Sequence, residues 1–168
     1  GDRASAVAVD PQGNIYVIYD ACNIARVAPD GMVYVVMGGG CSSNSSMTPN
    51  GAVALTAKGL ALAAIALNSE GEIYFVEGVY AVKKIDKQGI IRDVVRNWTG
   101  FCGDEGPAIN ACLDHPNSLA FDSVGNLYIA VSKRVRMVDT RGIIHTVAGG
   151  ETQEVDGVLA VNASLGDG

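Results

Sequence analysis

One phrase occurs three times along this chain, and its period limits the possible fold more than any other feature. The copies are Val7-Ala8-Val9-Asp10 with Gly13-Asn14-Ile15-Tyr16-Val17, Ile65-Ala66-Leu67-Asn68 with Gly71-Glu72-Ile73-Tyr74-Phe75, and Leu119-Ala120-Phe121-Asp122 with Gly125-Asn126-Leu127-Tyr128-Ile129. A second shared phrase follows each: Arg26-Val27-Ala28-Pro29-Asp30-Gly31, Lys84-Ile85-Asp86-Lys87-Gln88-Gly89 and Met137-Val138-Asp139-Thr140-Arg141-Gly142. Gly13, Gly71 and Gly125 are 58 and 54 residues apart, and the 168 residues amount to three mean periods. A period of this size marks an array of small units that bury their faces against neighbours. The chain reads as one segment, 1–168, with repeats at about 1–58, 59–113 and 114–168.

Each repeat reads as four strands. In the third, Ser118–Asp122 is short and apolar, Ser123-Val124-Gly125-Asn126 turns the chain, and Leu127–Val131 is rich in β-formers. Arg134–Asp139 alternates charged and apolar residues, Thr140-Arg141-Gly142 turns, and Ile143–Val147 returns. Gly31, Gly89 and Gly142 suit tight hairpins because positive φ costs little without a Cβ. Four antiparallel strands repeated radially form a β-propeller blade. The predicted class is therefore all-β, since the apolar runs lack the 3.6-residue period of a helical repeat. The Ala-rich stretch Gly51–Leu60 and its counterparts Gly106–Leu113 and Gly157–Leu165 also fit a turn of helix before the next blade.

The run Gly103-Asp104-Glu105-Gly106-Pro107-Ala108-Ile109-Asn110-Ala111-Cys112-Leu113, followed by Pro116-Asn117-Ser118-Leu119-Ala120-Phe121-Asp122 and Gly125-Asn126-Leu127-Tyr128-Ile129-Ala130, resembles the NHL repeat. The first two repeats keep the hairpin phrases but lose the Gly-Asp-x-Gly-Pro-Ala segment, reading Pro49-Asn50-Gly51-Ala52 before the second. The resemblance implies a propeller, commonly six-bladed, that binds proteins or RNA. It is specific for fold and weak for activity, because turn glycines and core apolars are what any blade needs.

A composition 48% hydrophobic and 18% charged suits a domain with a real core. No run reaches the roughly 18 uncharged residues that cross a bilayer, and no basic leader opens the chain. With a net charge of −6 and scattered bases, nucleic acid is not the expected partner. The densest basic group, Lys133, Arg134 and Arg136, alternates as on a solvated strand face.

Cys22 falls in a loop between second and third strands, whereas Cys41, Cys102 and Cys112 fall in links to the next blade, which emerge on the same side. Pairings 22 with 41 and 102 with 112 need the least rearrangement, and an even count in glycine-rich loops suits a secreted domain. Four reduced thiols packed as small apolar residues are the alternative. Zinc fits poorly without CxxC spacing. Asn44, Asn97 and Asn162 each open an N-x-S/T sequon in a link, which also favours a secreted or extracellular setting.

Catalytic patterns are missing. His115 precedes a proline in a link and His145 lies mid-strand, and there is no G-x-S-x-G, H-E-x-x-H or P-loop. Asp104, Glu105, Asp156 and Asp167 lie in glycine-rich links; calcium is one reading, ordinary turn formation the other. No catalytic residue and no cofactor is expected.

The leading expectation is a noncatalytic binding or scaffold module that presents Tyr19, Tyr80, Trp98 and Phe101 to a protein or glycan. Packing between blades is the alternative for Tyr80 and Phe101. The competing functions are part of a propeller hydrolase or lyase with a channel metal site, and a designed repeat assembly. Three blades cannot close a ring that typically needs four to eight. Either two chains join head to tail as a six-bladed homodimer, or further blades lie in a longer chain.

Overall fold

The computed structural model describes residues 3–43, 46–79, 81–96, 100–150 and 157–165. Three antiparallel sheets succeed one another. Blade 1 comprises β1 (Ala4–Val9), β2 (Ile15–Tyr19), β3 (Asn23–Val27) and β4 (Val33–Met37); blade 2 comprises β5 (Leu62–Leu67), β6 (Ile73–Glu77), β7 (Ala81–Ile85) and β8 (Ile91–Arg96). In blade 3, the two-residue β9 (Gly106–Pro107) flanks β10 (Ser118–Phe121), β11 (Leu127–Val131), β12 (Arg134–Val138) and β13 (Ile143–Gly149), pairing with β13.

The repeated Asp or Asn explains the first hairpin of each blade. Oδ1 of Asp10 accepts from the N–H groups of Gln12 and Asn14, Oδ1 of Asn68 from Glu70 and Glu72, and Oδ1 of Asp122 from Val124 and Asn126. This turn chemistry tightens the chain so that Gly13, Gly71 and Gly125 take φ of 82°, 80° and 101°. Asp86 and Asp139 do the same in the second hairpins of blades 2 and 3.

Each sheet has two apolar sides. Ala8, Tyr16, Ile18 and Ile24 of blade 1 pack on Leu67, Ile73, Phe75 and Ile91 of blade 2. The far side of blade 2, with Tyr74, Val76, Val82 and Val95, packs on Phe121, Leu127, Ile129 and Ile144 of blade 3. The Tyr74 and Phe121 rings meet edge to face, centroids 4.8 Å apart.

The Ala-rich links contain single 3₁₀ turns at Ala54–Thr56, Ala108–Asn110 and Ala160–Asn162. The first two cross the outer edge of the next blade. Ala54 N–H donates to Gly89 C=O at 2.8 Å and Ile91 N–H to Ala52 C=O at 2.9 Å, while Ala108 N–H donates to Gly142 C=O at 2.9 Å. No helix among the described residues is long and apolar enough to cross a membrane.

Candidate binding face

The β2–β3, β6–β7 and β11–β12 turns emerge at the same end of the blades as the links. Cys22 follows the Asp20-Ala21 turn, whose φ values are 52° and 54°, and is bonded to Cys41 of the first link. Cys102 and Cys112 bracket the second link and are bonded to each other. These are the pairs that chain proximity favours, with Cα separations of 5.0 and 4.9 Å. One bridge ties a hairpin tip to its link, and the other closes a loop.

Phe101 is held beside that second bridge. Its ring is 47% exposed, and the guanidinium carbons of Arg134 and Arg136 lie 4.1 and 4.7 Å from its centroid. Such stacking fixes an aromatic ring that water would otherwise leave mobile. Arg136 corrects the expectation of a solvated strand face, being only 1% exposed. It donates to the carbonyls of Cys112 at 3.1 Å and Cys102 at 3.4 Å, and to Asp104 Oδ1 at 3.0 Å. The looped link turns carbonyls inward that need donors, and the guanidinium fork supplies several at once. Burial pushes its pKa down, with Asp104 opposing. A cleft of about 260 Å³ adjoins the ring, lined by Asp104, Arg134, Thr146, Gly149 and Val161. Oγ1 of Thr146 is buried with no hydrogen-bond partner among the described residues.

The two acidic candidates among the described residues do not converge. Asp104 faces Arg136, whereas Glu105 lies 3.0 Å from Nδ1 of His145. That contact raises the His145 pKa, and Asp139, 3.6 Å from Nε2, adds to it. His115 pairs with Asp114 at 2.6 Å elsewhere. Among the described residues, no group of three or more His, Cys, Asp or Glu is placed to hold a metal ion. Tyr19 is half-buried at the end of β2, opposite Asn23, and Asn162 is exposed in the third 3₁₀ turn. Tyr80, Trp98, Asn44, Asn97, Asp156 and Asp167 lie outside the described residues.

Sequence reasoning missed a buried cluster in blade 2. Glu77 and Lys83 are fully buried, and Lys83 bonds to Asp93 and to the Thr48 carbonyl. Alternation gave no signal for it: Arg134 shares the side of Arg136, and Lys84 shares that of the fully buried Val82, yet neither Arg134 nor Lys84 is buried.

Residues 98–165 match the family model of the Teneurin NHL domain. Teneurin-1 of Caenorhabditis elegans is 49% identical over 51 residues, which are 30% of this chain and 2% of that protein. An auxiliary nutrient binding protein from Bacteroides thetaiotaomicron superposes with a TM-score of 0.64 at 13% identity, over 96% of this chain and 40% of its own. Virginiamycin B lyase from Staphylococcus aureus superposes at 0.57 with 15% identity, over 89% of this chain and 42% of its own. The chain thus spans about two-fifths of these structures. At such identities the likeness establishes fold alone. Sheets and neighbours together define a β-propeller segment of three blades. The match to the NHL type falls on residues 98–165, the third blade with the links on either side of it.

Proposed function

We propose that the chain is a noncatalytic binding module from an extracellular β-propeller, and that its disulfide-bearing face engages a protein through an acidic segment. The single observation behind this is the exposed Phe101 ring braced by Arg134 and Arg136. Aromatic and arginine anchors of this kind dominate protein interfaces. The neighbouring cleft supplies room for a polar group beside Arg134. Two disulfides support an oxidising compartment. His115 and His145 stand in separate carboxylate pairs, which favours binding over a hydrolase or lyase reaction.

An array of extracellular proteins and acidic glycans, probed with the wild-type chain and with Phe101→Ala and Arg134→Glu, tests this reading. A protein ligand whose binding drops at least tenfold in both variants is expected. Ligands held equally by all three chains would place the interface elsewhere.

A further inference from the structure

A cleft of about 450 Å³ opens between blades 2 and 3, at the end opposite the links, where the β5–β6, β10–β11 and β12–β13 turns lie. That volume is in the range of small-molecule sites. The floor is apolar, with Tyr74 of blade 2 facing Phe121, Leu127 and Val138 of blade 3. The rim is polar. Ser69 comes from one blade and Thr140 from the other, both exposed, and neither hydroxyl bonds to the described residues. Lys84 donates to Glu72 at 2.9 Å within the same cleft, their side chains 28% and 14% exposed.

The corresponding cation of blade 1 is covered. Arg26 holds the position of Lys84, and the Tyr34 ring lies over it with its centroid 4.5 Å from the guanidinium carbon. In blade 2 the position of Tyr34 is taken by Arg92, which pairs with Asp86 instead. No ring from the outer strand therefore caps the Lys84 ammonium. Val138 also stands where blade 2 has Ile85, so the floor between blades 2 and 3 is one carbon short of its counterpart.

The charges around the cleft are already balanced. Besides the Glu72–Lys84 pair, Glu70 faces Lys87 at 2.8 Å, Asp93 faces Arg96 at 3.1 Å and Asp139 faces Arg141 at 2.7 Å. A charged ligand would meet no unpaired opposite charge among these groups, and an apolar one would strip water from the ion pairs. A neutral polyol does neither. Each of its hydroxyls both donates and accepts, so adjacent ones can bond to Glu72 and Lys84 together. The C–H face of a sugar ring suits the apolar floor.

We propose that this interblade cleft binds a neutral saccharide, seated on Tyr74, Leu127 and Val138 with its hydroxyls bonded to Glu72, Lys84 and Thr140. The site lies at the other end of the blades from Phe101 and does not depend on what that face binds. An array of neutral glycans, probed with the whole 168-residue chain and with Lys84→Met, Thr140→Val and Phe101→Ala, tests it. At least one neutral glycan is expected to be held, at least tenfold more weakly by Lys84→Met, several-fold more weakly by Thr140→Val, and equally by Phe101→Ala. Thr140→Val keeps the side-chain shape at an exposed position, so its melting curve should match wild type and its binding loss is readable even if Lys84→Met is destabilised. Offering the retained glycan free and on a protein carrier identifies its source: equal affinity points to a soluble sugar, and a tenfold preference for the carrier to a glycoprotein. Absence of neutral glycan binding at millimolar concentration, binding that Thr140→Val leaves intact, or binding lost in Phe101→Ala overturns the proposal.

Discussion

Lys83 and Asp93 form an ion pair inside blade 2, across the neighbouring strands β7 and β8. Glu77 flanks the same ammonium at 3.9 Å, and Lys83 also donates to the Thr48 carbonyl at 2.8 Å. Glu77 in turn accepts from Thr48 N–H and hydroxyl and from Leu60 N–H. The network therefore fastens the first link to the second blade. Isolated buried charge is costly, but here each charge has several partners.

Removing one partner should be worse than removing the charges. Lys83→Ala leaves buried Glu77 without its cation and Asp93 with Arg96 alone, and should lower stability by about 3 kcal/mol. A Lys83→Met/Glu77→Gln/Asp93→Asn chain should lose less. Urea denaturation of both measures the difference; equal losses would mean that packing, not charge, dominates the site.

The bridges give a covalent expectation. Denatured, unreduced protein should show no alkylatable thiol, and peptide mapping should link Cys22 with Cys41 and Cys102 with Cys112. Breaking either bond should cost about 2–4 kcal/mol through freedom regained by the unfolded chain. Four reactive thiols in the untreated protein would remove the main support for an extracellular setting.

Two glycines separate strain from collision. Gly125 has φ 101°, and an added Cβ would meet only Thr140 Cγ2 at 3.6 Å, an ordinary contact, so Gly125→Val should cost about 1–3 kcal/mol from backbone strain. At Gly59 an added Cβ would lie 2.4 Å from the Cys22 carbonyl oxygen, backbone that the disulfide holds in place. Gly59→Ala should therefore be at least as damaging despite its smaller side chain. Melting curves compare them, and an unchanged curve for Gly125→Val would contradict the tight turn.

Acid should weaken the second hairpin of blade 3. The Ile143 N–H and then the Arg141 guanidinium lower the Asp139 pKa from 3.8 to about 2. A depressed folded pKa means that its stabilisation is complete above 3.8 and fades as pH falls through about 2. Thermal unfolding between pH 5 and 2 should show this slope, reduced in Asp139→Asn. His145 has the opposite sign: its raised pKa stabilises the fold below the ordinary value of 6.5 and is lost as pH climbs past the folded value.

Much of the architecture was readable because it is local. Strands predicted at Ser118–Asp122, Leu127–Val131, Arg134–Asp139 and Ile143–Val147 appear at Ser118–Phe121, Leu127–Val131, Arg134–Val138 and Ile143–Gly149. Asp122 and Gly125 announce their hairpin because the side chain and backbone that make it are within a few residues. The candidate face was readable only in part. Phe101 could be placed in a link, but its arginine bracket depends on β12, more than thirty residues away.

The sequence by itself determined the repeat number, the hairpins and the economical cysteine pairing, since period, turn chemistry and chain proximity are properties of short stretches. Tertiary structure alone decided which charges go inside. Arg136 and Lys83 are buried because a link folds carbonyls over each, with the Asp104 carboxylate of the link facing Arg136 and the Asp93 carboxylate of β8 facing Lys83, and nothing in the alternation of β12 or β7 encodes that cover. It also decided that Ile91 is buried while Val33 is exposed. Burial is a relation between a residue and its neighbour, and equivalent residues differ when only one of them has that neighbour.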